Sequence, residues 1–138
     1  MPAGKPPIMD DLSSYQPTDS ELEILQILWA NEPATVRFVY EQINREREVG
    51  YTTVLKQLQR LAEKGVVARE LKGKTHYYRV LLKQADVQND LVQQFLSKVY
   101  QGASLKLVMH ALGQGKTSPE ELEELQKWVE AQKKKSDD

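Results

Sequence analysis

A mainly α chain interrupted by one small β-hairpin is the fold class this sequence predicts, and three observations predict it. Apolar residues recur at helical spacing from Thr18 to Lys64. The period then changes to that of strands between Val66 and Leu82, and helical spacing returns from Ala85 onward. Cap and turn residues stand at each change.

Met1 to Pro17 is polar, proline-rich and without periodicity, so a disordered tail is expected over 1–17. Order is expected from Thr18-Asp19-Ser20-Glu21, a capping box in which the threonine caps the helix and Glu21 reaches back. The helix from Asp19 to about Ala30 presents Leu22, Leu25, Leu28 and Trp29 on one side, and Asn31-Glu32-Pro33 stops it. Thr35 is a candidate cap for a second helix, about Val36 to Arg45, with the stripe Val36, Val39, Tyr40 and Ile43. After a polar turn from Glu46 to Gly50, a third helix runs from about Thr52 to Lys64. Its inward residues are Tyr51, Val54, Leu55, Leu58, Leu61 and Ala62, and Gly65 stands where a glycine stop belongs.

Val66 to Leu71 and His76 to Leu82 read as strands joined by Lys72-Gly73-Lys74-Thr75, a hairpin with a basic tip. Three helices and a hairpin within about 65 residues is the order of a winged helix-turn-helix, expected over 18–82. Residues 83–138 are helical again. Ala85 to Gln101 is amphipathic, and Ala103 to Leu112 is apolar nearly all round, which predicts burial on several sides. Ser118-Pro119-Glu120-Glu121 opens the last helix with a cap, a first-turn proline and a capping-box glutamate. So much apolar surface on three helices predicts a helical dimerisation unit and a homodimer, the alternative being helices folded back on the winged-helix unit within a monomer. Its contact residues are expected to be Leu91, Phe95, Leu96, Val99, Leu105, Val108, Leu112, Leu122, Leu125 and Trp128.

With 138 residues and 40% hydrophobic composition, a real core is affordable but a large enzyme is not. No apolar run approaches the ~20 residues of a membrane span, and no signal pattern opens the chain, so membrane insertion is not expected and a cytoplasmic location is. The absence of cysteine excludes disulfides and thiolate sites. No glycine-rich phosphate loop, paired histidines or nucleophile elbow occurs, so neither an enzyme nor a metal or cofactor is expected. Net charge is −1 overall, yet Arg45 to Leu82 carries nine bases against four acids. That asymmetry suits a surface facing a polyanion.

A helix in the major groove meets base edges with its first turns. Thr52, Thr53, Lys56 and Gln57 are the base-reading candidates, since hydroxyl, amide and ammonium groups can each address a base edge. Arg60, a turn later, suits a phosphate, as do Lys72 and Lys74 at the hairpin tip. A merely solvated helix face, and lysines protecting a strand edge, remain the alternatives at each place. The leading function is sequence-specific binding of double-stranded DNA; the alternative is a protein-interaction module whose basic hairpin takes an acidic partner.

Thr18-Asp19-Ser20-Glu21-Leu22-Glu23-Ile24-Leu25 with Leu28-Trp29 resembles the opening helix of the BlaI/MecI/CopY penicillinase-repressor family. Tyr51-Thr52-Thr53-Val54, Arg60-Leu61 and Glu63-Lys64-Gly65-Val66-Val67 are similar to its recognition helix and wing. Phe95-Leu96, Lys98-Val99-Tyr100, Gly102 and Leu107-Val108 resemble its dimerisation helices, and Ser118 to Leu125 its last helix. The resemblance spans about Thr18 to Ala131. It implies a homodimeric repressor on a pseudo-palindromic operator, with Thr52, Thr53 and Lys56 in the major groove and Lys72 and Lys74 on the wing. In antibiotic-sensing members a membrane metalloprotease sensor triggers cleavage of an Asn-Phe bond in the dimerisation unit, and His110-Ala111 stands at the matching position. Copper-responsive members carry a C-terminal cysteine motif, which is absent here.

Overall fold

The capping box at Thr18 forms as its residues dictate. The Glu21 amide donates to Thr18 Oγ1 at 3.2 Å, and the Thr18 amide donates to Glu21 Oε1 at 3.0 Å. It opens α1 (Asp19–Asn31) in a computed structural model that describes residues 15–137. There follow α2 (Val36–Asn44), α3 (Tyr51–Glu63), β1 (Val67–Lys72), β2 (Thr75–Val80), α4 (Gln84–Tyr100), α5 (Ser104–Leu112) and α6 (Pro119–Asp137). Most of the expected tail lies outside the described residues. Tyr15, within that tail, is half-buried against the core and donates from its hydroxyl to Glu21 Oε1 at 3.1 Å.

The chain divides into two compact units, Met1–Leu91 and Val92–Asp138, with the boundary inside α4. The first unit holds the core. Ile24, Leu25 and Leu28 of α1 meet Val36, Val39 and Ile43 of α2 and Val54, Leu58 and Leu61 of α3. The apolar side of α1 therefore includes Ile24, which is fully buried, while Leu22 is only half-buried. Tyr51, expected inward, is 40% exposed. As the first residue of α3 it has no preceding helical turn to cover it, so it lies edge-on to Tyr40 with centroids 5.5 Å apart.

After α3 the chain reverses through Gly65 at φ +81°, a left-handed conformation that glycine adopts without strain. The Val66 amide bonds the Leu61 carbonyl at 2.9 Å and the Gly65 amide bonds Ala62 at 3.1 Å, the Schellman closure of a helix end. The two strands pair antiparallel from Val67 with Val80 out to Lys72 with Thr75. The turn is thus only Gly73 and Lys74, with Gly73 at φ +65°, as a two-residue hairpin requires. Val67, Tyr78 and Val80 close the core from this side. The outer edge of β2 is met by Ala34, which exchanges both backbone bonds with Tyr78 at 3.0 and 2.7 Å. The Val80 amide donates to Glu32 Oε1 at 2.7 Å, and Trp29 Nε1 to the Leu82 carbonyl at 3.1 Å. The base of the hairpin is therefore bolted to α1 and the α1–α2 loop, and its tip projects free.

The second unit is different. Ser118 and Glu121 form the expected capping box at 3.0 and 3.1 Å, and Tyr100 Oη lies 3.0 Å from His110 Nδ1. Yet no described residue of this unit is buried. The burial expected for α5 is not met within one chain: Leu105 is 72% and Met109 60% exposed. A helical unit this small has too little surface to enclose an interior of its own. Among the described residues no helix is long and apolar enough to cross a membrane, and no group of acidic or histidine side chains could hold a metal ion.

Candidate nucleic-acid interface

Burying Val54, Leu58 and Leu61 turns the opposite side of α3 outward, because positions three and four apart share a helix face. Thr52, Thr53, Lys56 and Arg60 all lie on that outward side and are exposed. Gln57 sits at its margin, half-buried beside the Val54–Leu58 row. Gly50 caps α3 without any side-chain bond, so the first amides of the helix stay open toward whatever the outward side meets.

Ion pairing sorts the bases of this region into two groups. Arg47 is held by Glu23 at 2.6 Å, Lys64 by Glu21 at 3.0 Å and Arg79 by Glu70 at 3.6 Å. Arg45, Lys56, Arg60, Arg69, Lys72 and Lys74 have no carboxylate within ion-pair distance among the described residues. All but Arg45, which caps the end of α2, lie on α3 and the wing. The unpaired bases thus cluster on α3 and the hairpin, where only Arg79 is paired, with its strand neighbour Glu70, an arrangement that suits a phosphate-lined partner. Lys72 Nζ stands 5.6 Å above the Tyr77 ring, a cation–π contact that steadies the tip.

Two features escaped the reading of the sequence. Arg37 of α2 lies 5.5 Å over the ring of Tyr51 and pairs with Glu41 at 3.7 Å, placing a partnered base at the entrance of α3. No short-range pattern links residues fourteen apart, so only the packing of α2 on α3 could show it. The second is a network at the far end of α3. Glu21 accepts from the Thr18 amide, from Tyr15 and from Lys64 Nζ at 3.0 Å. Burial opposes ionisation of Glu21, but these hydrogen bonds outweigh it and hold the carboxyl below its usual value. Burial, then the adjacent Glu21 charge, pushes the Tyr15 hydroxyl up. Since Lys64 is the C-cap of α3, one carboxylate of α1 fixes the end of the recognition helix.

Comparison with known proteins agrees with this geometry. A family model described as penicillinase repressor matches residues 17–131. The methicillin resistance regulatory protein MecI of Mammaliicoccus sciuri is 28% identical over 115 residues, covering 83% of this chain and 94% of that protein. The penicillinase repressor of Bacillus licheniformis is 25% identical over 118 residues, covering 86% and 92%. Among solved structures, a MarR family protein from Bacillus stearothermophilus shares the fold with a TM-score of 0.51 at 17% identity, covering 95% of this chain and 83% of its own. With a core that displays α3 and a wing whose free charges are all basic, the chain belongs to the penicillinase repressor family and is a DNA-binding transcriptional repressor.

Proposed function

We propose that the chain represses transcription as a homodimer on a pseudo-palindromic operator, with one α3 and one wing at each half-site. The observation that carries the dimer is the second unit: Phe95 is 49%, Val99 51%, Leu105 72% and Trp128 60% exposed in a unit with no buried residue among those described. Apolar surface of that extent needs a cover, and a second copy of the same surface is self-complementary by two-fold symmetry. In this reading Leu91, Leu96, Val108, Leu112, Leu122 and Leu125 join the shared interior. Thr52, Thr53, Lys56 and Gln57 read bases, while Arg60, Lys72 and Lys74 hold the backbone.

Relief of repression fits the same division. His110 and Ala111 lie exposed near the end of α5, so a cut between them, set off by a membrane metalloprotease sensor, would sever the unit that joins the two DNA-binding halves.

Sedimentation of the full chain, paired with a gel shift on DNA upstream of its own gene, tests the dimer. The wild type should sediment as a dimer and shift that DNA as a single species. Phe95→Asp should sediment as a monomer and lose most of the shift. A monomeric wild type that still shifts the duplex would refute the assembly while leaving the α3 interface standing.

A further inference from the structure

Tyr15 stands three residues ahead of the Thr18 cap, before the first helix begins. It precedes the residues matched to the penicillinase repressor family, so no role for it follows from that membership. Its ring is half-buried against the core, and its hydroxyl enters a charge network. The two oxygens of the Glu21 carboxylate divide their partners. Oε1 accepts from the Tyr15 hydroxyl at 3.1 Å and from the Thr18 amide at 3.0 Å, while Oε2 accepts from Lys64 Nζ at 3.0 Å. Lys64 Nζ also lies 5.7 Å from the centroid of the Tyr15 ring, so ring and carboxylate together hold the ammonium. Burial and the Glu21 charge oppose ionisation of the Tyr15 hydroxyl, which keeps it a donor. Lys64 is the C-cap of α3, and Gly65 and Val66 lead from it straight into β1. The brace therefore sits at the joint between the recognition helix and the wing. The other end of α3 has no side-chain cap, since Gly50 supplies none.

We propose that Tyr15 is a positioning residue for DNA recognition: acting through Glu21 and Lys64, it sets the angle at which α3 presents Thr52, Thr53 and Lys56. The inference rests on the DNA interface above and adds to it a residue at the far end of α3 from the base-reading row. Thr52 lies twelve residues before Lys64, which is about 18 Å along the helix axis. Pivoted at Lys64, a tilt of about 5° carries Thr52 sideways by about 1.5 Å, roughly half the length of a hydrogen bond. Base contacts do not survive such a shift, because their donors and acceptors must meet at fixed distance and angle. Phosphate contacts do survive it, because lysine and arginine side chains are long and every phosphate is alike. Loosening the brace should therefore cost discrimination between sequences and spare the electrostatic part of binding.

Anisotropy titrations of the full chain against DNA upstream of its own gene, and against a shuffled duplex of the same length, give a discrimination ratio that tests the assignment. Tyr15→Phe keeps the ring and removes only the donor, so it should retain the wild-type circular dichroism. It should lower the ratio about threefold or more, while affinity for the shuffled duplex and its salt slope stay unchanged. Lys64→Met keeps the aliphatic stem and should lower the ratio too. Tyr15→Phe added to Lys64→Met should then cost nothing further, because the route through Lys64 is already cut. An unchanged ratio in Tyr15→Phe would reduce Tyr15 to core packing, and a loss in the pair equal to the product of the single losses would show that it acts apart from Lys64. Either result overturns the positioning role alone. A wild type that binds both duplexes equally would overturn the base-reading assignment of α3 beneath it, and one that binds neither would overturn the DNA interface itself.

Discussion

Replacing Lys72 and Lys74 together with alanine removes two of the five bases on α3 and the wing that have no carboxylate partner among the described residues. Each base that neutralises a phosphate releases a counterion, so the slope of log affinity against log salt steepens by about 0.9 per contact. The proposed dimer would carry four such lysines, and the double variant should then flatten the slope by about 3–4. Over a fourfold rise in salt, the wild type should then lose about 100-fold more affinity than the variant. Fluorescence anisotropy with an operator duplex at several potassium chloride concentrations reads both slopes. The control comes from the same ion-pair sorting. Arg47 and Arg79 are held by Glu23 at 2.6 Å and Glu70 at 3.6 Å, so replacing both with alanine should leave the slope nearly unchanged. If the control flattened the slope as much as the wing variant, the division of bases into bound and free would be wrong. If neither did, the lysines would be strand-edge protection only.

Two further predictions concern the scaffold that aims α3. Glu21→Gln removes the charge that Lys64 pairs with and should cost about 1–2 kcal/mol in urea unfolding, at the low end for a charged hydrogen bond because Lys64 is half in solvent. The Glu21 carboxyl lies below its ordinary value of 4.5 when folded, so its ionised form favours the fold. Its contribution is therefore complete above about pH 4.5 and fades as pH falls, and the gap between wild type and variant should close on acidification. Gly65→Ala forces a Cβ into a φ of +81° and should cost about 1 kcal/mol, seen as a lower Tm with an unchanged salt slope.

Much of the fold was legible because its signals are local. The Thr18 and Ser118 capping boxes, the Thr35 cap and the Gly65 stop act over three or four residues, so each could be read directly from its neighbours and each forms. The polar row Thr52, Thr53, Lys56 and Arg60 was equally legible, since helical periodicity alone turns it away from Val54, Leu58 and Leu61. Tyr51 was misjudged inward because periodicity carries no knowledge of where a helix begins to be covered.

What only tertiary structure decided is long-range. The reach of Glu21 across forty-three residues to Lys64 sets which base is spent on the body of the protein and which bases stay free. The pairing of β1 with β2 sets which wing side chains continue the buried row and which turn away from it. Sequence by itself determined the elements, their ends and their amphipathic sides, because caps and periodicity are short-range physics. Tertiary packing decided the charge of the surface those elements present, because an ion pair depends on distance in space and not along the chain.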